Sequence, residues 1–161
     1  MKLPLPLVLI AGLPLLLAAS GRETIGIFKT WGAFREAKPL RCFAIAKPVV
    51  AGGRPTGFAS LASWPGRGLT GSLHVRLSRP RDRSAAVALS IGERRFTLAA
   101  NTRDAWATDG ASDRAIIAAM RSSRSMSVEA VGERGRPFAD TYALGGAATA
   151  IDAALLACAA R

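Results

Sequence analysis

The residues able to do chemistry are few and scattered. His74 is the single histidine of the 161-residue chain. It falls in Leu73-His-Val-Arg-Leu77, where Leu73, Val75 and Leu77 alternate inward and His74 and Arg76 outward. A histidine there does acid–base work only if the fold brings a partner to it, and the sequence shows none. Serines are plentiful, but none stands in a Gly-x-Ser-x-Gly elbow. No two carboxylates have a spacing that alone would pair them for acid–base chemistry. Asp140 is the anomaly, because it lies between Phe138 and Tyr142 on an apolar strand face. A carboxylate there has to be met by a backbone turn or an arginine. Gly52-Gly53-Arg54 lacks the Lys-Ser/Thr ending of a phosphate loop, and Gly145-Gly146 follows no nucleotide fingerprint. Two thiols and one imidazole make no recognised metal spacing. No catalytic residue, metal or cofactor is expected, and the chain reads as a non-enzyme.

The first twenty residues have their own character. Met1-Lys2 is a short positive start, and Leu3 to Leu17 is an apolar run broken by Pro4, Pro6, Gly12 and Pro14. Ala18-Ala19-Ser20 then offers the small residues of a cleavage site. This is the pattern of a secretory signal peptide, with the mature chain starting near Gly21. A retained transmembrane helix is the rival reading. It needs about 20 apolar residues and tolerates internal prolines poorly. Residues 21–161 are then one β-rich domain with one core, and no transmembrane helix is expected in the mature chain.

Export gives the two cysteines a meaning. In an oxidising compartment, Cys42 and Cys158 are expected to pair. The formal charge of +11 comes mainly from arginine. Codon composition in a GC-rich genome accounts for such an excess. The functional alternative is attraction to lipopolysaccharide, acidic lipid or another anionic surface of the envelope, with nucleic acid disfavoured by export. Arg79, Arg81 and Arg83 are the densest group, and Arg94 and Arg95 are candidates to join them across the sheet as an anion-binding patch.

The elements that must position these residues are short. Ile25, Ile27, Phe28 and Trp31 suggest a strand ending in a turn at Gly32. Arg41 to Lys47 is a second strand, with Phe43 and Ile45 on one face and Cys42, Ala44 and Ala46 on the other. Residues 48–70 are rich in Gly and Pro, with a strand possible over Phe58 to Trp64. Val87, Leu89 and Ile91 alternate before Gly92-Glu93, a two-residue turn of type II′. That turn sets Ile91 against Arg94, Leu89 against Phe96 and Val87 against Leu98. Asn101 to Asp109 reads as a connection carrying Trp106. Ser112 is expected to cap a helix with Ile116, Ile117 and Met120 inward. Ser125–Val131 and the stretch through Phe138, Tyr142 and Leu144 are strands. Thr149-Ala-Ile-Asp152 resembles a capping box for a last helix, with Ile151, Leu155 and Cys158 on one face. About seven strands and two small helices, one C-terminal, predict a mainly β fold, an antiparallel sandwich or curled barrel.

Several stretches together carry a resemblance. They are Trp31-Gly-Ala-Phe34, Cys42-Phe-Ala-Ile45, Val75-Arg-Leu-Ser78 and Ile91-Gly-Glu-Arg-Arg-Phe96. Ala118-Ala-Met120, Ser125-Met-Ser-Val128, Tyr142-Ala-Leu-Gly-Gly146 and Ala150-Ile-Asp-Ala153 before Cys158 complete them. With the N-terminal leader, they resemble the invasion-associated locus B family of small exported alphaproteobacterial proteins. The resemblance implies a β-rich fold, a periplasmic or secreted location and, for some members, a part in host-cell entry. It implies no catalytic residues. The expected function is therefore a non-enzymatic binding or structural module of the envelope. The alternatives are a periplasmic hydrolase whose site forms only in three dimensions, and an anion-binding module.

Overall fold

The structure is a computed structural model describing residues 21–50 and 57–159. The expected signal peptide and Gly52-Gly53-Arg54 lie outside the described residues. Among those described, the chain forms ten strands and two α-helices. The strands are β1 (Arg22–Phe28), β2 (Trp31–Ala37), β3 (Leu40–Ala46), β4 (Phe58–Trp64) and β5 (Leu69–Arg76). After them come β6 (Val87–Ile91), β7 (Arg94–Ala100), β8 (Asp104–Trp106), α1 (Gly110–Ser122), β9 (Ser125–Val131), β10 (Pro137–Ala143) and α2 (Ala147–Ala159).

The strands make one antiparallel sheet in the order β1-β2-β3-β4-β5-β8-β7-β6-β9-β10, not closed into a barrel. The sheet curls far enough for its two ends to meet. The Trp31 indole N–H donates to the Ala143 carbonyl at 2.9 Å, and the Val49 N–H donates to the Thr141 carbonyl at 2.8 Å. The helices fill the concave side. α2 lies across β1 to β5, and α1 lies against β5, β6 and β7. A mainly β fold with two helices, one C-terminal, is therefore what the strand patterns described.

Register follows side-chain alternation, because a slip of one residue would turn a whole strand inside out. β6 and β7 pair Val87 with Leu98, Leu89 with Phe96 and Ile91 with Arg94, as the turn at Gly92-Glu93 required. Gly92 takes a φ of 57° and Glu93 has no positive φ, which suits type II′. On β3, Cys42, Ala44 and Ala46 are buried inward. α2 turns Ala147, Ala150, Ile151, Ala154 and Cys158 to the sheet. These small residues bring the helix close, and Cys42 and Cys158 form a disulfide with Cα atoms 5.8 Å apart.

Four local expectations are corrected. The first turn is at Lys29-Thr30, with Lys29 at φ 56°, and Gly32 sits buried inside β2. A Cβ on Gly32 would come within 2.6 Å of the Phe34 ring, so this glycine makes room and does not turn. Trp106 is in a strand, β8, whose three residues are too few to show alternation. Asp109, not Ser112, caps α1, accepting the Ser112 N–H at 2.7 Å. α2 starts before Thr149, and Asp152 pairs with Arg121 of α1 through both carboxylate oxygens.

Gly146 is the tightest point of the fold. It has a φ of 89°, and a Cβ there would lie 2.0 Å from the Phe28 carbonyl oxygen. The Lys29-Thr30 turn is thus seated directly on the start of α2.

Candidate functional site

The convex face of β1 to β5 and β8 carries the most developed surface. Strand pairing lines up Ile27, Gly32, Ile45, Ser60, His74 and Trp106 across six adjacent strands. Among the described residues no helix covers this row, because α1 and α2 lie on the opposite side. Phe34 and Phe43 stack beside it with ring centres 5.5 Å apart. Phe58 meets the His74 ring edge-on at 5.2 Å, and His74 stacks on Trp106 at 5.5 Å.

One end of this face opens into a groove of about 640 Å³, within the usual range for small-molecule sites. Ile27, Phe34, Ile45, Val49 and Phe58 are its apolar lining, and Lys29 and Lys47 supply its cations. Gly32 contributes only backbone, and the Phe34 ring and Ile27 take up the space where its Cβ would stand. Both lysines are exposed, and neither forms an ion pair among the described residues. The groove combines side chains from β1, β2, β3 and the start of β4 with the Lys29-Thr30 turn. No sequence window contains them, so periodicity alone did not reveal it.

His74 does have a carboxylate partner. Its Nε2 lies 3.0 Å from Asp104 Oδ1, and Asp104 also accepts from Arg76 at 3.1 Å. Among the described residues, no hydroxyl or thiol hydrogen-bonds the imidazole, so the pair has no nucleophile in hand. Asp140 is fully buried and accepts the Ser78 N–H at 2.8 Å and the Ser78 hydroxyl. A backbone donor at the end of β5 therefore satisfies it, as its apolar strand required. Ser78 is also buried, and neither residue lines one of the described cavities. Beside them, burial first and then the Asp140 charge push the Tyr142 phenol well above its usual range. Its hydroxyl has no hydrogen-bond partner among the described residues.

The structure disperses the arginine patch. Arg81 is buried and donates to the carbonyls of Asn101, Asp82, Ala85 and Ala100, so it fastens two loops together. Arg79 lies over the Phe138 ring at 4.7 Å. Arg83 is exposed. Arg94 and Arg95 are at the other end of β6, about 17 Å away along a five-residue strand. As adjacent strand residues they also point to opposite faces. Arg94 covers Phe96, and Arg95 pairs with Glu129 at 2.6 Å. What gathers instead is an unforeseen set. Hydrogen bonds tie the loop after β5 to residues 101–103 and 131–136. These loops bear Arg79, Arg83, Arg103, Arg134 and Arg136, none in an ion pair among the described residues.

Among the described residues, no three His, Cys, Asp or Glu side chains are grouped to hold a metal ion. No helix among them is long and apolar enough to cross a membrane.

No protein-family model matches the chain, and no curated protein matches it significantly. A solved structure does. The crystal structure of invasion associated protein B from Bartonella henselae superposes with a TM-score of 0.62, covering 84% of this chain and 96% of that one at 16% identity. This chain has the fold of invasion associated protein B. At that identity the likeness speaks for architecture, and it agrees with the resemblance carried by the short motifs. The invasion associated protein B fold is thus reached here by a chain that keeps few of that protein's residues.

Proposed function

We propose that this chain is an exported, non-enzymatic binding module of the bacterial envelope. The groove beside Lys29 and Lys47 carries the reading. It is the apolar concavity of the convex face, it has charged groups converging on it, and it lacks any acid–base–nucleophile set. The hydrolase alternative loses support where the Ser78–Asp140 pair is sealed and the His74–Asp104 pair lacks a nucleophile. Export is supported by the signal-like start, by the disulfide and by the fold shared with a bacterial invasion associated protein. A part in host-cell interaction is a further step within the same reading.

The test uses protein recovered from the periplasm of its own host. N-terminal sequencing should give a start within two residues of Gly21. Fractionated envelope extract should then raise the Tm of the purified protein, with no turnover of ester or amide substrates. An intact Met1 in the membrane fraction, or steady turnover, would overturn the proposal.

A second reading rests on the arginines of the three joined loops. Their unpaired guanidinium groups suit an anionic surface. Sedimentation with vesicles containing an acidic lipid should then fall with added salt and with Arg79→Ala/Arg83→Ala/Arg103→Ala. Sedimentation indifferent to both would remove this reading.

A further inference from the structure

Resting on the reading of the groove as a binding site, the geometry points to its ligand: a free single-chain amphiphile with an anionic head, a long-chain fatty acid carboxylate in its simplest form. The chain would lie along Ile27, Ile45 and Phe58, with its head at Lys29 and Lys47.

Shape comes first. Ile27, Gly32 and Ile45 are directly opposite one another on three neighbouring strands, so the groove crosses the strands, with the Phe34 ring and Ile27 lying over Gly32. Phe34 and Phe58 complete the lining. An apolar trough of this kind accepts a flexible alkyl chain and gives little purchase to a sugar or peptide. Among the described residues, its lining offers Thr30 and two lysines as its side-chain polar groups beside the Trp31 indole, few for the directed hydrogen bonds those ligands need. Ile27 and Val49 are 65% and 56% exposed. Each would gain from being covered by an alkyl chain at about 25 cal/mol per Å² of apolar surface.

Charge comes second, and it selects the head. The chain has four lysines in all, at positions 2, 29, 38 and 47, against a large majority of arginines. Two of the four line this groove, the Lys29 side chain lying over Gly145, and among the described residues no carboxylate pairs with either. A guanidinium is the usual choice for a forked grip on phosphate, whereas an ammonium acts as a point charge. Two free point charges beside an apolar trough complement a single small anion on an alkyl tail. Backbone geometry adds to this. Lys29 occupies φ 56° at the first turn position, where glycine is the unstrained residue. The fold thus keeps a cation at the mouth of the groove at some conformational cost.

Titration calorimetry of the full mature protein with laurate, below its micelle concentration, tests the proposal. Laurate should bind one per chain. Lys29→Gly/Lys47→Met removes both charges and relieves the turn, so it should fold. It should weaken laurate about three- to tenfold, as expected for two solvent-facing ion pairs. Its affinity for 1-dodecanol should stay as it was, so the preference for the anion disappears. Ile45→Trp fills the trough and should abolish both ligands, with circular dichroism and the disulfide unchanged. Arg83→Ala should bind like the wild type.

Four results would overturn the inference. One is no laurate binding, and another is laurate binding unaffected by Ile45→Trp. A third is binding to anionic phosphatidylglycerol vesicles that matches laurate binding and ignores Ile45→Trp, which would mean a membrane surface. A fourth is a dimer in sedimentation that Ile45→Trp disrupts and laurate does not, which would make a second copy the occupant. An envelope fraction that stabilises the wild type but not Ile45→Trp, with laurate inert, would refute the fatty acid and keep the binding module. If no fraction depends on the groove, both fail.

Discussion

Replacing both cysteines by alanine, as Cys42→Ala/Cys158→Ala, should loosen the domain from its last helix inwards. The two positions are 116 residues apart in sequence. For a loop of that length the chain-entropy relation gives about 5 kcal/mol at 25 °C, and measured losses usually fall somewhat below it. A loss of about 3–5 kcal/mol is therefore expected. A domain of about 140 residues has an unfolding entropy near 0.3 kcal/mol/K, so the Tm should fall by roughly 10–16 °C. The damage should be uneven. α2 has thirteen residues, a length only marginally helical on its own. It is held by the buried Ala147, Ala150, Ile151 and Ala154 and by the bridge. Urea titration measures the total, and native-state hydrogen exchange shows where it falls. Amides of α2 should lose protection first, while β6 and β9 keep theirs. A loss under about 1 kcal/mol, or equal loss of protection in α2 and β9, would refute the idea that the bridge holds the helix to the sheet.

Gly146→Ala should prevent folding or cost several kcal/mol, since its Cβ meets the Phe28 carbonyl and its φ suits glycine. A soluble variant with an unchanged urea midpoint would show that the close contact is not rigid. Arg81→Lys should cost about 3 kcal/mol, because one ammonium cannot serve four carbonyls on two loops, whereas Arg83→Ala should cost almost nothing. Equal urea midpoints for the two variants would remove Arg81 from its structural role.

Asp113 gives a pH test. Burial pushes its carboxyl above its usual 3.8, although the Leu73 N–H donates to it. The folded state thus holds this proton more tightly than the unfolded chain. Its contribution is full below pH 3.8 and is lost as the pH rises through the raised folded value. Asp109 and Asp152 work in the opposite sense. Donation from Ser112 and from Arg121, respectively, pushes them down, so their stabilisation is present above about pH 3.8 and is lost as the pH falls through the depressed values. In urea titrations from pH 3.5 to 6, Asp113→Asn should gain on the wild type as the pH rises. A difference that does not change with pH would count against it.

The sequence was readable where one physical rule acted alone. The β6–β7 register followed from alternation plus a glycine-first turn, and each of its three named pairs is present. Alternation placed Cys42 with Ala44 and Ala46 on the face opposite Phe43, and helical spacing placed Cys158 with Ile151 and Leu155. Asp140 stood out because a carboxylate on an apolar strand needs a donor, and Ser78 provides it. Reading failed where tertiary contact overrode the local signal. Gly32 looked like a turn but makes room for Phe34, while the true turn uses Lys29, a residue with no turn preference. The groove was beyond reach for another reason. Its lining comes from positions 27 to 58, and only the pairing of three strands puts Ile27 beside Gly32 and Gly32 beside Ile45. The placement of the individual arginines was not legible, because charge in a loop does not reveal direction, and Arg81 turns inward.

The placement of α2 also sets a timetable. The helix that covers the inner faces of β1, β2 and β3 is made after all ten strands. A chain emerging N-terminus first, from a ribosome or any narrow pore, shows Trp31, Ala33 and Ala44 uncovered until residue 147 and beyond have followed. Cys42 likewise waits 116 residues for its partner. During that interval any disulfide it forms is with another molecule. Strand pairing at long sequence separation is slow in any case, and an unfinished sheet invites association. Assembly of this domain is therefore a race between the arrival of its own last helix and the approach of a neighbour, and a long pause late in synthesis harms it more than one at the start.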